Sequence, residues 1–185
     1  MRIRITPGAI LLFLVMLLTK EQLFFAGVLA AAVHECGHLL AAWALGIRLQ
    51  LLELDVGGAR ILPAGQLPSY RAEGLLAGAG PVASLLLAFI IPLNGAGFFL
   101  LLRSSTLSLA LFNLLPITGF DGGRVLCALL SPRLGVGRAK ALCDVCSYFS
   151  LLLLFSLFAC LVLRYGESML LGVLCAMLFA KLFLL

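Results

Sequence analysis

Along the chain, long apolar runs alternate with short polar breaks. The runs cover residues 6 to 19, 22 to 46, 71 to 93, 96 to 115, 141 to 164 and 168 to 185. A helix that spans a bilayer needs about 20 predominantly apolar residues, so the pattern predicts an all-α polytopic membrane protein, a bundle of six transmembrane helices. The run from Gly8 to Thr19 follows a Met-Arg-Ile-Arg start and has the form of a secretory leader, but no small-residue cleavage site precedes Lys20-Glu21. It reads as an uncleaved first helix.

Two breaks have patterns of their own. Between the second and third runs, partial alternation on either side of Gly57-Gly58 predicts a short membrane-associated β-hairpin over residues 47 to 62. Between the fourth and fifth runs, Pro116-Ile-Thr-Gly-Phe-Asp-Gly-Gly-Arg-Val-Leu126 interrupts the helical pattern with a proline and three glycines. Irregular backbone at membrane depth survives only where protein or a wet cavity satisfies its polar groups.

Composition agrees with a bilayer: 63% of the 185 residues are hydrophobic and 11% are charged, where a soluble domain carries about a quarter charged. The net charge of +5 follows from orientation. With the N-terminus in the cytoplasm, ten of the 13 Lys and Arg residues fall on the inner side, and only Lys20, Arg103 and Arg164 fall outward. The basic balance therefore implies membrane topology and no nucleic-acid partner. The six cysteines lie mostly inside apolar runs, which predicts reduced, buried residues rather than a disulfide framework.

One apolar run contains His34-Glu35-Cys36-Gly37-His38. Residues four apart share a helix face one turn apart, so His34 and His38 can reach one metal ion while Glu35 reaches a water beside it. In a soluble protein such a pentapeptide recurs by chance. At a bilayer centre each ionisable group costs at least about 2.5 kcal/mol, so three within five residues require a compensating partner. Cys36 points away from the shared face and Cys143-x-x-Cys146 lacks a second pair; neither suggests a ligand.

A catalytic zinc site usually takes three protein ligands and leaves one position for water. The carboxylates besides Glu35 are Glu21, Glu53, Asp55, Glu73, Asp121, Asp144 and Glu167, most of them at run ends where water solvates them. Asp121 differs because it follows the irregular break and precedes two glycines that let backbone approach closely, although an Asp-Gly-Gly is also an ordinary turn.

Asn113-Leu-Leu-Pro116-Ile-Thr-Gly-Phe-Asp121-Gly122-Gly123, taken with His34-Glu35-Cys36-Gly37-His38, resembles the paired motifs of the site-2 protease family of intramembrane zinc metalloproteases. The resemblance implies one zinc ion per chain on His34, His38 and Asp121, with Glu35 as general base and Asn113 as a donor to the oxyanion or the substrate backbone. Gly80-Pro-Val-Ala-Ser84 is similar to a further family motif, though close helix packing in lipid selects the same small residues. Thr118, Gly119 and Phe120 depart from the Pro and Leu common in relatives. Within that family the chain resembles the short sporulation-type branch, which leads us to expect a single integral membrane domain over residues 1 to 185 without PDZ or C-terminal regulatory domain.

That likeness implies a multi-pass protein of a bacterial cell membrane, with termini and active-site opening on the cytoplasmic side. If Gly46 ends the second helix, His38 and His34 lie roughly 12 and 18 Å below it, near the middle of a core about 30 Å thick. The expected partners are the lipid bilayer, a membrane-associated protein substrate such as a sporulation sigma-factor precursor, and a membrane regulatory protein; the sequence leaves the oligomeric state open. The competing reading is a zinc-binding transporter or scaffold without proteolytic activity, against which Glu35 argues, since a transport site has no use for a base beside its ligands.

Overall fold

The structure, a computed structural model, describes residues 2–5, 22–55, 58–63, 65, 69–92 and 97–165. The predicted helices at 6 to 19 and 168 to 185 lie outside the described residues. The chain divides into two compact units, Met1–Leu114 and Leu115–Leu185.

The first unit contains strands β1 (Arg2–Ile5), β2 (Leu49–Asp55) and β3 (Gly58–Pro63) and helices α1 (Gln22–Ala44), α2 (Tyr70–Ile90) and α3 (Phe98–Asn113). The three helices pack on one another through small residues. On α1 the buried positions are Ala26, Ala30, His34, Gly37, His38 and Ala42. On α2 they are Ala72, Leu76, Ala77, Gly80, Pro81, Ser84 and Ala88, and on α3 Leu102, Thr106 and Ala110. Each set follows helical spacing, and short side chains let the backbones approach closely where lipid supplies no hydrophobic drive between helices. At Gly37 the backbones of α1 and α2 come close, for a Cβ there would stand 2.5 Å from the Ala79 carbonyl oxygen and 2.7 Å from Ala83 Cβ.

Local chemistry sets the helix ends. Gly46, at φ +65°, closes α1: its N–H donates to the Trp43 carbonyl at 3.1 Å, and that of Ile47 donates to Ala42 at 2.9 Å, the pair of bonds that ends a helix on a left-handed residue. Ser69 caps α2 by accepting the Ala72 N–H at 3.1 Å. At its other end Ile91 is extended, as a residue before proline prefers.

The sheet order is β1-β2-β3, with β1 parallel and β3 antiparallel to β2. The described chain is therefore mostly helical but not all-α. Four residues of alternation at the N-terminus were too few to predict β1, which pairs Arg2 with Leu51 and Ile5 with Leu54. Its presence makes β2 the central strand.

The second unit contains α4 (Asp121–Leu134) and α5 (Val136–Tyr165), which pack together across Gly135 at φ +77°. The expected irregular stretch after Pro116 is shorter than the sequence suggested, because helix resumes at Asp121 with both glycines in its first turn. Helix α5 begins five residues earlier than the apolar run, so Arg138 and Lys140 are exposed helical residues. The cysteine expectation also needs correction: Cys127 and Cys143 are joined, their Cα atoms 6.1 Å apart. Folding back at Gly135 brings together two residues that sequence distance had separated. Among the described residues α1, α2 and α5 are long and apolar enough to cross a membrane. Helix α3, at 16 residues, reaches about 24 Å.

Candidate metal centre

Helix α1 turns His34 and His38 into the packed interior of the first unit, 4% and 6% exposed. Their Nε2 atoms stand 3.2 Å apart. The other ring nitrogens are held by α2, where His38 Nδ1 lies 2.7 Å from the Leu76 carbonyl oxygen and His34 Nδ1 lies 3.1 Å from Ser84 Oγ. A carbonyl can only accept, so His38 carries its proton on Nδ1 and its Nε2 offers a lone pair.

Two proton arrangements then satisfy the pair. In one, Ser84 donates to His34 Nδ1 and His34 Nε2–H donates to His38 Nε2. In the other, His34 Nδ1–H donates to Ser84 and both Nε2 lone pairs point at one place, which repel unless a cation stands there. Imidazoles oriented through Nδ1 with Nε2 free to ligate are the usual arrangement at zinc. A hydroxyl at position 84 permits either arrangement because it donates and accepts equally well. The residues present thus fit a metal ion.

Gly80 keeps this space open, since a Cβ there would lie 2.7 Å from His34 Nε2 and closer still to His38 Nε2. Packing alone does not explain a glycine whose missing side chain would fall on two imidazole nitrogens. The resemblance had marked Gly80 and Ser84, and the structure gives both a contact with the histidines.

Glu35 follows His34 on α1 and is half-buried, while Cys36 is exposed on the opposite side. Asn113, at the end of α3, is half-buried, and its Nδ2 donates to the Leu109 carbonyl at 3.1 Å. One amide hydrogen is thus used within its own helix.

In the second unit Asp121 opens α4 and is 8% exposed. Among the described side chains it is the one buried carboxylate: Glu73 and Asp144 are half-buried, and the side chains of Glu53 and Asp55, with Glu21 and Glu167, lie outside the described residues. The positive end of α4 and Arg124, whose Nη1 is 3.7 Å from Asp121 Oδ1, both favour a negative charge there. Gly123 is required because its Cβ would strike the Ile117 carbonyl.

Comparison with known proteins gives consistent likenesses. No family model matches the chain. Zinc metalloprotease MJ0392 of Methanocaldococcus jannaschii is 32% identical over 123 residues, 61% of this chain and 35% of that protein. A provisionally named zinc metalloprotease of Synechocystis, sll0528, is 37% identical over 119 residues, 59% of this chain and 30% of that one. The chain thus spans about a third of the length of the curated relatives it matches. The solved structure of the site-2 protease from Methanocaldococcus jannaschii shares the fold, with a TM-score of 0.69 at 22% identity over 97% of this chain and 88% of that one. Both curated relatives are named as zinc metalloproteases, and the likeness to the solved structure is one of fold.

Proposed function

We propose that the chain is an intramembrane zinc metalloprotease of the site-2 protease family, hydrolysing a peptide bond in a membrane-associated protein. The observation that carries this reading is the buried His34–His38 pair, with two Nε2 atoms 3.2 Å apart, a glycine cleared beneath them and Glu35 beside them. His34, His38 and Asp121 form the donor set, two imidazoles and one carboxylate, a combination zinc accepts while keeping a position for water. One such set occurs among the described residues, and we read it as one ion per chain.

When bound, zinc would polarise the scissile carbonyl and make water acidic enough to lose a proton near neutral pH. Ser84 and the Leu76 carbonyl hold the imidazoles through Nδ1, so neither ring must reorient during turnover. The Glu35 carboxylate takes the proton from the attacking water and returns it to the leaving amine nitrogen, which converts a poor leaving group into a neutral amine. The second amide hydrogen and the Oδ1 of Asn113 are available to the substrate backbone.

A substrate helix must unwind before cleavage because its amides are bonded internally, and an open sheet edge can receive the extended segment through main-chain bonds. Among the described residues β2 is central, so the edge of the hairpin left for such pairing there is the outer side of β3. Cytoplasmic termini and six spans rest on the basic-residue distribution and the apolar runs, and a bacterial cell membrane rests on resemblance to the sporulation-type branch. A sigma-factor precursor as substrate, and a regulatory membrane partner, rest on resemblance to the sporulation-type branch. The transporter or scaffold alternative keeps the ligands but leaves Glu35 without a task.

The test uses purified full-length protein with a candidate membrane-tethered precursor, comparing the parent with Glu35→Gln. The variant keeps the side chain's shape but cannot take the proton. Zinc should stay and cleavage should fall by about 10²–10⁴-fold. A variant that cleaves like the parent removes Glu35 from the mechanism, and a parent that binds zinc but cleaves no candidate favours the transporter or scaffold.

A further inference from the structure

Ser147 is wholly buried on α5, and its contacts reach outside its own helix. Its Oγ accepts the Thr118 N–H at 2.8 Å, stands 2.9 Å from Thr118 Oγ1 and lies 2.7 Å from the Cys143 carbonyl and 3.3 Å from that of Pro116. Thr118 Oγ1 also donates to Asp144 Oδ1 at 3.4 Å. A serine bonded to the carbonyl one turn back is commonplace in apolar helices, and Ser156 does only that, at 2.8 Å and exposed. Ser147 differs because it is buried and receives a backbone amide 29 residues away.

The segment it grips leads directly into Asp121. Ile117 is buried, its carbonyl accepts the Phe120 N–H at 2.9 Å, and the same carbonyl lies against Gly123, where a Cβ would collide with it. Phe120 in turn accepts from Arg124 N at 3.1 Å. Thr118 is therefore rigidly connected to the first turn of α4, so a bond that fixes Thr118 against α5 fixes where the Asp121 carboxylate stands.

We infer that Ser147 is a positioning residue for Asp121, with Thr118 and Asp144 completing the clamp. The inference rests on the reading of Asp121 as a zinc ligand. Thr118 is one of the departures from the family's usual residues, and its amide and hydroxyl are what Ser147 and Asp144 hold. Groups that orient a ligand without touching the metal still set its affinity.

The experiment measures zinc affinity of the purified full chain by chelator competition, for the parent, Ser147→Ala, Asp121→Ala and the double variant, alongside thermal unfolding. Ser147→Ala should weaken zinc roughly tenfold, and the double variant should bind no more weakly than Asp121→Ala alone, because the two act through one carboxylate. Thr118→Val loses the hydroxyl but keeps the amide bond, and should cost a smaller factor, roughly threefold.

Parental affinity in Ser147→Ala, or an equal loss in the presence and absence of Asp121, would reduce Ser147 to a packing residue and overturn the inference. If Ser147→Ala does not fold, the exposed Thr118→Val decides, and unchanged affinity there overturns it. Parental affinity in Asp121→Ala would defeat the ligand assignment and the clamp with it, an outcome distinct from failure of the clamp alone.

Discussion

At Gly80 the backbone of α2 passes where any larger residue would stand on the two imidazoles. Alanine in a helix interior is favoured over glycine by about 0.8–1.0 kcal/mol, so Gly80→Ala should not weaken the helix itself. It should instead push His34 and His38 off their bonds to Ser84 and Leu76, lowering zinc affinity at least about tenfold together with a drop in thermal stability, because buried hydrogen bonds are lost. Equal zinc affinity in parent and variant would show that the rings have room to move. His34, Glu35 and His38 were legible in the sequence because helical spacing alone puts the histidines on one face. Gly80 and Ser84 were ambiguous, since close packing and ligand support both select small residues, and only the contacts separate the two. Asp121 could be singled out but not distinguished from a turn, for burial is a tertiary property.

The helices were largely legible as elements because apolar length is a strong signal. Less so were the limits of α4, where glycines that usually end a helix sit in its first turn to admit the Ile117 carbonyl. Strand β1 escaped because its partner lies more than 45 residues away. That partner changes an expectation about substrate binding: Leu51 and Leu54 pair on both sides, so proline there would disrupt the sheet itself. The test moves to β3, where adjacent residues direct their N–H groups alternately toward β2 and away from it. Of Ile61→Pro and Leu62→Pro, one removes only an outward donor. That variant should keep its zinc and lose roughly tenfold in cleavage, the worth of one main-chain bond. If both variants fold, bind zinc and cleave like the parent, the substrate is not held on this edge.

Among the described residues, large apolar side chains face outward while several polar ones are buried. Histidines, Ser84, Thr106 and Ser147 are buried while Leu163 and Trp43 are 88% and 82% exposed, the distribution expected where lipid meets the surface. The proposed orientation rests on the basic residues, of which Arg133 and Arg138 are exposed around the turn between α4 and α5. A cysteine at position 138, in a chain whose other unbonded cysteines are replaced by alanine, should react with an impermeant thiol reagent only when the cytoplasmic side is opened. Labelling in intact cells would invert the topology. The central claim is the proposed zinc ion on His34, His38 and Asp121, and its most direct test is the zinc-to-protein ratio of the purified full chain beside Asp121→Ala. The account predicts about one zinc in the parent and marked depletion in the variant. A parent without zinc, or a variant that keeps its full complement, would contradict it.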